Sequence, residues 1–154
     1  MASKKKGSRT GKAPKNAVGD VFKGGTCKSA SKAMVVFRKI SFTSVCPHHK
    51  TPMTGECSLA YIPNGLLAGI GRIPKLIKLL GEGESLQEEL TEEIVEEMRR
   101  QIRPSGVAVV IRARHECMLG HGEKESENEV ITSHFTGELR KPGRQNEFFQ
   151  NLKL

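Results

Sequence analysis

The sequence predicts one α+β domain of order ββααββ. Three observations carry that expectation: two β-rich runs joined by a short connection, a charged run with an apolar residue at every fourth position, and an alternating run further on. The first β-rich run, Met34 to Cys46, reads MVVFRKISFTSVC; β-branched and aromatic residues of this kind suit a pleated, half-buried surface. Thr54 to Pro63 forms the second strand, and the short link between the two predicts an antiparallel hairpin. Pro63-Asn64-Gly65 then marks a turn.

Ile73, Leu76, Ile77 and Leu80 fall on one face of a helix that the Gly-rich GEGES run ends. The next helix is the clearest element, because Leu86, Leu90, Ile94, Met98 and Ile102 recur among charged residues between Ser85 and Pro104. Past that proline, VAVVIRARHEC places Val107, Val109, Ile111, Ala113, His115 and Cys117 on one face of a strand. Residues 129–139 give a fourth strand, and Asn146 to Leu152 a short terminal helix.

The 25 basic and 17 acidic residues give a net charge of +8, and residues 1–33 supply the whole of it, with nine Lys or Arg against Asp20 alone. That segment is rich in Lys, Gly and Ser and poor in large apolar residues, so it is expected to be a disordered basic tail ahead of a folded domain over 34–154. The high isoelectric point therefore describes the tail and not the domain surface. No apolar run approaches the roughly 20 residues that cross a bilayer, and no secretory signal is evident, so a cytoplasmic protein without a membrane partner is expected. In that compartment the four cysteines read as thiols or metal ligands and not as disulfides.

Cys46-Pro47-His48-His49 stands just past the end of the first strand, and seventy residues later His115 and Cys117 project from one face of another. Thiolate and imidazole groups converging from separate strands are the ligands zinc favours. A catalytic zinc takes three of them and leaves a position for water, so surplus histidines are available for proton transfer. The competing reading is plain packing, since His and Cys inside strands are often core residues, and a closed structural zinc site is a further alternative.

The ordered set FTSVCPHH, AYIPNG, SLQEELTEEI, GVAVVIRARHECM and TS…G…EF resembles the GTP cyclohydrolase I family over roughly residues 34–150. The resemblance implies the tunnelling fold, in which subunits with an antiparallel four-stranded sheet and two helices join through their sheets into a homo-oligomeric ring, a pentamer or a decamer. It implies Cys46, His49 and Cys117 as zinc ligands, and His48 with His115 as the proton-transfer pair. The implied reaction is hydrolysis of GTP or a related purine nucleotide at C8 of the guanine ring. Formate is released and 7,8-dihydroneopterin triphosphate results, for folate or pterin synthesis or for 7-deazaguanine synthesis.

Gln87-Glu88 matches the family's guanine-binding pair, although Ser85-x-x-Glu88 also reads as a capping box. At the triphosphate end the family commonly has Ser-Lys and then an Arg one turn on, where this chain has Gly71-Arg72 and Lys75. His121 aligns with the family's phosphate-binding Arg, and an imidazole cannot reproduce a two-pronged guanidinium contact, so an altered nucleotide is an alternative substrate. The family also carries helices ahead of the first strand where this chain has only the basic tail, which makes it similar to compact forms. Two readings compete: a non-catalytic homologue binding nucleic acid through the tail, and a nitrile reductase, whose chemistry needs a reactive Cys. His134 has no assigned role, and Cys27 and Cys57 read as incidental thiols.

Overall fold

A computed structural model describes residues 18–116 and 128–153. The strands are β1 (Thr26–Ser29), β2 (Val35–Val45), β3 (Pro52–Ile62), β4 (Gly65–Ala68), β5 (Gly106–His115) and β6 (Val130–Gly137); the helices are α1 (Arg72–Gly81), α2 (Gln87–Ile102) and α3 (Pro142–Lys153). A four-stranded antiparallel sheet runs β2-β3-β5-β6. The expected ββααββ order is present in this sheet and the helices beside it, with all four strands and both central helices within a few residues of their predicted bounds. The terminal helix is longer than expected because it begins at Pro142, where a fixed backbone φ suits a first helical turn.

α1 and α2 cover one face of the sheet. Their apolar stripes, Ile73, Leu76 and Ile77 on α1 and Leu90, Ile94, Met98 and Ile102 on α2, meet Met53, Leu59, Tyr61, Val107, Val109 and Ile111 in a fully buried core. α3 covers one end of the opposite face, where Phe148 and Leu139 pack on Ala60, Ile62, Ala108 and Val110. This second layer explains why β5 opens as an unbroken apolar run, buried on both sides, and alternates only from Arg112 onward. α2 closes at Arg103 in a left-handed conformation (φ 47°) just before Pro104, which disfavours further helix.

One expectation is corrected. Residues 18–33 do not continue a disordered tail: Val21 and Phe22 are buried in the helix-side core, and β1 pairs antiparallel with β4 in a separate two-stranded sheet. Two large apolar side chains are enough to anchor a segment that is otherwise Lys- and Gly-rich. The Pro63-Asn64-Gly65 turn leads into β4, whose Ala68 N–H donates to the Tyr61 hydroxyl at 3.0 Å. The stretch 1–17 lies outside the described residues. Among those described, no helix is long and apolar enough to cross a membrane.

Cys57, read as an incidental thiol, is a free cysteine. It lies fully inside the core, where burial pushes its thiol up to about 12, so it stays protonated near neutral pH. Close backbone approach is needed at Gly55, paired with Ala113: a Cβ there would run into the Arg112 carbonyl oxygen and stand 2.7 Å from Ala113 Cα. Gly55→Ala must push β3 and β5 apart, and the expected loss is about 2–3 kcal/mol of stability, read as a lower urea midpoint at unchanged slope. An unchanged midpoint would show that the two strands have room the structure does not give them.

Candidate functional site

The sheet register brings the separate halves of the Cys/His set to one end. Ser44 pairs with Met53, and Met53 pairs with His115, so the end of β2 and the end of β5 lie in one row two strand spacings apart, about 10 Å. Two residues beyond Ser44 the chain closes a tight turn, with Cys46 N–H donating to Thr51 O at 2.9 Å and Lys50 N–H donating to Cys46 O at 2.9 Å. Lys50 takes a left-handed conformation (φ 55°) to complete it. Cys46 is buried while His48 and His49 are exposed, and the Cys46 Sγ stands 4.0 Å from His48 Nδ1.

The connection between α1 and α2 holds this turn in place. Val45 N–H and Ser44 Oγ both donate to Gly83 O at 3.1 Å, Ser85 N–H donates to Val45 O at 3.1 Å, and the Lys50 ammonium meets Glu84 at 2.6 Å. The GEGES run is therefore more than a helix terminator, since its backbone bonds along the end of β2. It also fixes where α2 begins.

Gln87, the first residue of α2, is buried, and its side chain reaches across to β5 and β6. Its amide nitrogen donates to Val130 O at 2.9 Å and to Thr132 Oγ1 at 3.2 Å, while its amide oxygen stands 2.8 Å from His115 Nε2. Thr91, one turn along α2, donates to the Gln87 carbonyl at 2.8 Å and lies 2.7 Å from Thr132 Oγ1. Thr91 and Thr132 are members of the site that the sequence did not single out. The only signal available was the i, i+4 spacing of Gln87 and Thr91.

Of the residues expected at the site, Cys46, His48, His49 and His115 gather at one end of the sheet, and Cys117 and His121 lie outside the described residues. Among the described residues no three His, Cys, Asp or Glu side chains stand close enough together to hold a metal. The described part of the expected zinc set, a buried thiol and an imidazole on one closed turn, fits a soft divalent ion in the kind of its donors.

The Gln87-Glu88 pair divides: Glu88 is exposed, and the Gln87 side chain is committed to the protein. No capping box forms, because Leu86 is the N-cap, it receives no side-chain cap, and the Ser85 hydroxyl donates to Leu86 O at 3.2 Å. Arg72 packs across Gly25 and donates to Val21 O at 3.2 Å, while Lys75 is exposed. His134 on β6 pairs with Val109 of β5, away from the site row, and Cys27 is exposed on β1.

This architecture, a four-stranded antiparallel sheet backed by two helices with a Cys/His set at one sheet end, defines a tunnelling-fold protein. The solved structure of the archaeosine synthase QueF-Like in its apo form is similar, with a TM-score of 0.56 at 27% identity, over 71% of this chain and 97% of that one. The sequence matches the GTP cyclohydrolase I family over residues 6–153, and the chain belongs to that family. It is thus a GTP cyclohydrolase I-like hydrolase. It is 34% identical to the GTP cyclohydrolase 1 of Campylobacter concisus, over 88% of this chain and 70% of that protein. It is 36% identical to that of Helicobacter hepaticus, over 92% and 67%.

The Arg72 contacts generate a test of the N-terminal segment. Arg72→Ala removes both the bond to Val21 O and the packing over Gly25, and is expected to cost about 1–2 kcal/mol. Hydrogen exchange should then speed up selectively at Phe22 and Gly25, whose amides bond to Gln101 and to Phe22 O. Unchanged protection at those two amides would show that Arg72 does not hold the segment.

Proposed function

We propose that this protein hydrolyses GTP at C8 of the guanine ring, opening the imidazole ring with release of formate and giving 7,8-dihydroneopterin triphosphate after rearrangement of the ribose. The observation that carries the reading is the row that joins Ser44, Met53 and His115, because it sets the Cys46–His49 turn and His115 at one end of the sheet. Cys46, His49 and Cys117 would hold a zinc ion. Such an ion lowers the pKa of water to near neutrality and so supplies hydroxide for attack on an electrophilic carbon.

The chain's own groups supply the rest. His48 is exposed beside the Cys46 thiol and can exchange protons with a bound purine, and His115 is presented from the sheet as its partner. Glu88, exposed at the start of α2, can accept hydrogen bonds from the N1–H and exocyclic amine of guanine. β2 and β6 are the two edges of the sheet, and joining such edges between copies would close a ring and cover them. The chain would then act as a homo-oligomer.

One observation favours a second reading, in which the nucleotide carries fewer phosphates. Arg72, expected at the triphosphate, is held by Val21 O, and Lys75 is the remaining exposed cation on the first turn of α1. Comparing kcat/KM for GTP and GMP distinguishes the two, since a site built for the triphosphate should favour GTP by at least about tenfold.

The central test is incubation of zinc-loaded protein with GTP, followed by assay of formate and of the fluorescent oxidised pterin. Both are expected; neither appearing would end the proposal. Cys46→Ser should lose zinc and turnover together, whereas His48→Ala should keep the metal and lose turnover by about a hundredfold or more. Equal loss of zinc from both variants would overturn this division of roles.

A further inference from the structure

The hydrogen bonds around Gln87 have a direction that can be worked out atom by atom, because two of the partners are backbone carbonyls and can only accept. Thr91 must spend its hydroxyl hydrogen on the Gln87 carbonyl at 2.8 Å. The 2.7 Å contact between the two threonines then leaves Thr132 as the donor and Thr91 as the acceptor. With its hydrogen used, Thr132 Oγ1 accepts from the Gln87 amide nitrogen at 3.2 Å, and the same nitrogen donates to Val130 O at 2.9 Å, with Ile111 O at 3.4 Å behind it. The amide cannot be turned round, since its oxygen would then face two carbonyl oxygens. That oxygen therefore faces His115 Nε2 at 2.8 Å, and the hydrogen between them must sit on the histidine.

We infer that Gln87 is a positioning residue that holds His115 in the tautomer carrying its hydrogen on Nε2, leaving Nδ1 with the free lone pair, and that it does so in place of contacting a purine base. Both functional groups of the Gln87 side chain are engaged by the protein, the residue is buried, and no side-chain hydrogen of it is left over for a ligand. The inference deepens the proposed function, in which His115 moves a proton. A ring whose hydrogen is fixed on one nitrogen presents the other in a single orientation, and no tautomer exchange is needed before a proton can move. Thr91 and Thr132 support Gln87, and they touch neither His115 nor the Cys46 turn among the bonds described.

The test uses the full-length, zinc-loaded protein labelled with nitrogen-15, at about pH 8.5, where an ordinary histidine is neutral. Long-range nitrogen–proton spectra distinguish the two ring nitrogens, and the His115 signals are assigned by their loss in His115→Ala. In the wild type Nε2 is expected to be protonated and Nδ1 bare; a protonated Nδ1 with a bare Nε2 overturns the inference without any Gln87 variant. In Gln87→Met the acceptor is lost, and both tautomers should appear. With GTP as substrate, kcat for that variant should fall about tenfold or more while KM stays within roughly threefold.

Thr132→Val removes a bond behind the amide but leaves Val130 O to orient it, so the single tautomer should persist. A Gln87→Met protein that keeps one tautomer, or one whose KM rises with kcat unchanged, shows instead that the side chain serves the base. Should the wild type have no turnover with GTP, the proposed function fails, while its spectrum still decides the tautomer.

Discussion

The end of the sheet where β2 and β5 finish depends on backbone hydrogen bonds from the connection between the two helices. A strand end is normally free to fray, because its last amides and carbonyls have no neighbour beyond the ladder. Here Gly83 and Ser85 bond to both sides of Val45, so the end of β2 is held as firmly as its middle. The exposed Lys50–Glu84 pair adds little energy of its own, since ion pairs in water contribute at most about 1 kcal/mol. Its contribution is one of placement, tying the Cys46 turn to the same connection. α2 begins two residues after Ser85, and its first side chain reaches the other strand of the site. The turn at Cys46 and the ring of His115 are thus positioned from a single short loop.

A buried polar network of this kind is stable only if every member is satisfied. Gln87, Thr91 and Thr132 meet that condition with no unused hydrogen, so the network has one self-consistent arrangement. Removing one partner leaves a buried donor or acceptor without a bond, typically at a cost of about 1–3 kcal/mol. The same closure that stabilises the packing of α2 on β6 makes the orientation of His115 a consequence of the fold. The geometry exists before any ligand arrives.

Much of this was legible in the sequence where burial sets a period. The every-fourth-residue stripe of α2 and the apolar run of β5 each report which side faces the core, and the turn at Cys46 was placed by the end of a β-rich run. β1 and β4 were not legible, because four residues carry too little pattern and their pairing is with each other alone. Val21 and Phe22 were hidden by the Lys and Gly around them; composition averages over a segment, whereas anchoring needs only two side chains in the right place. Gln87 shows the limit at the site. Its motif flagged it, but a side chain that faces a base and one that faces a histidine look the same in one dimension. The direction of its bonds follows only from the carbonyls of Ile111 and Val130, which any sequence supplies.

Adjacent residues at the start of a helix point about 100° apart, and here that angle separates two tasks. Gln87 turns inward and is consumed by the sheet, while Glu88 turns outward and stays exposed. A carboxylate there also gains from the positive end of the helix dipole. Since the two residues share one backbone turn, whatever fixes Gln87 against His115 also fixes where the Glu88 carboxylate can reach. A ligand gripped by Glu88 would therefore be registered against His115 through the rigid first turn of α2, with no need for the base to touch the amide that links them.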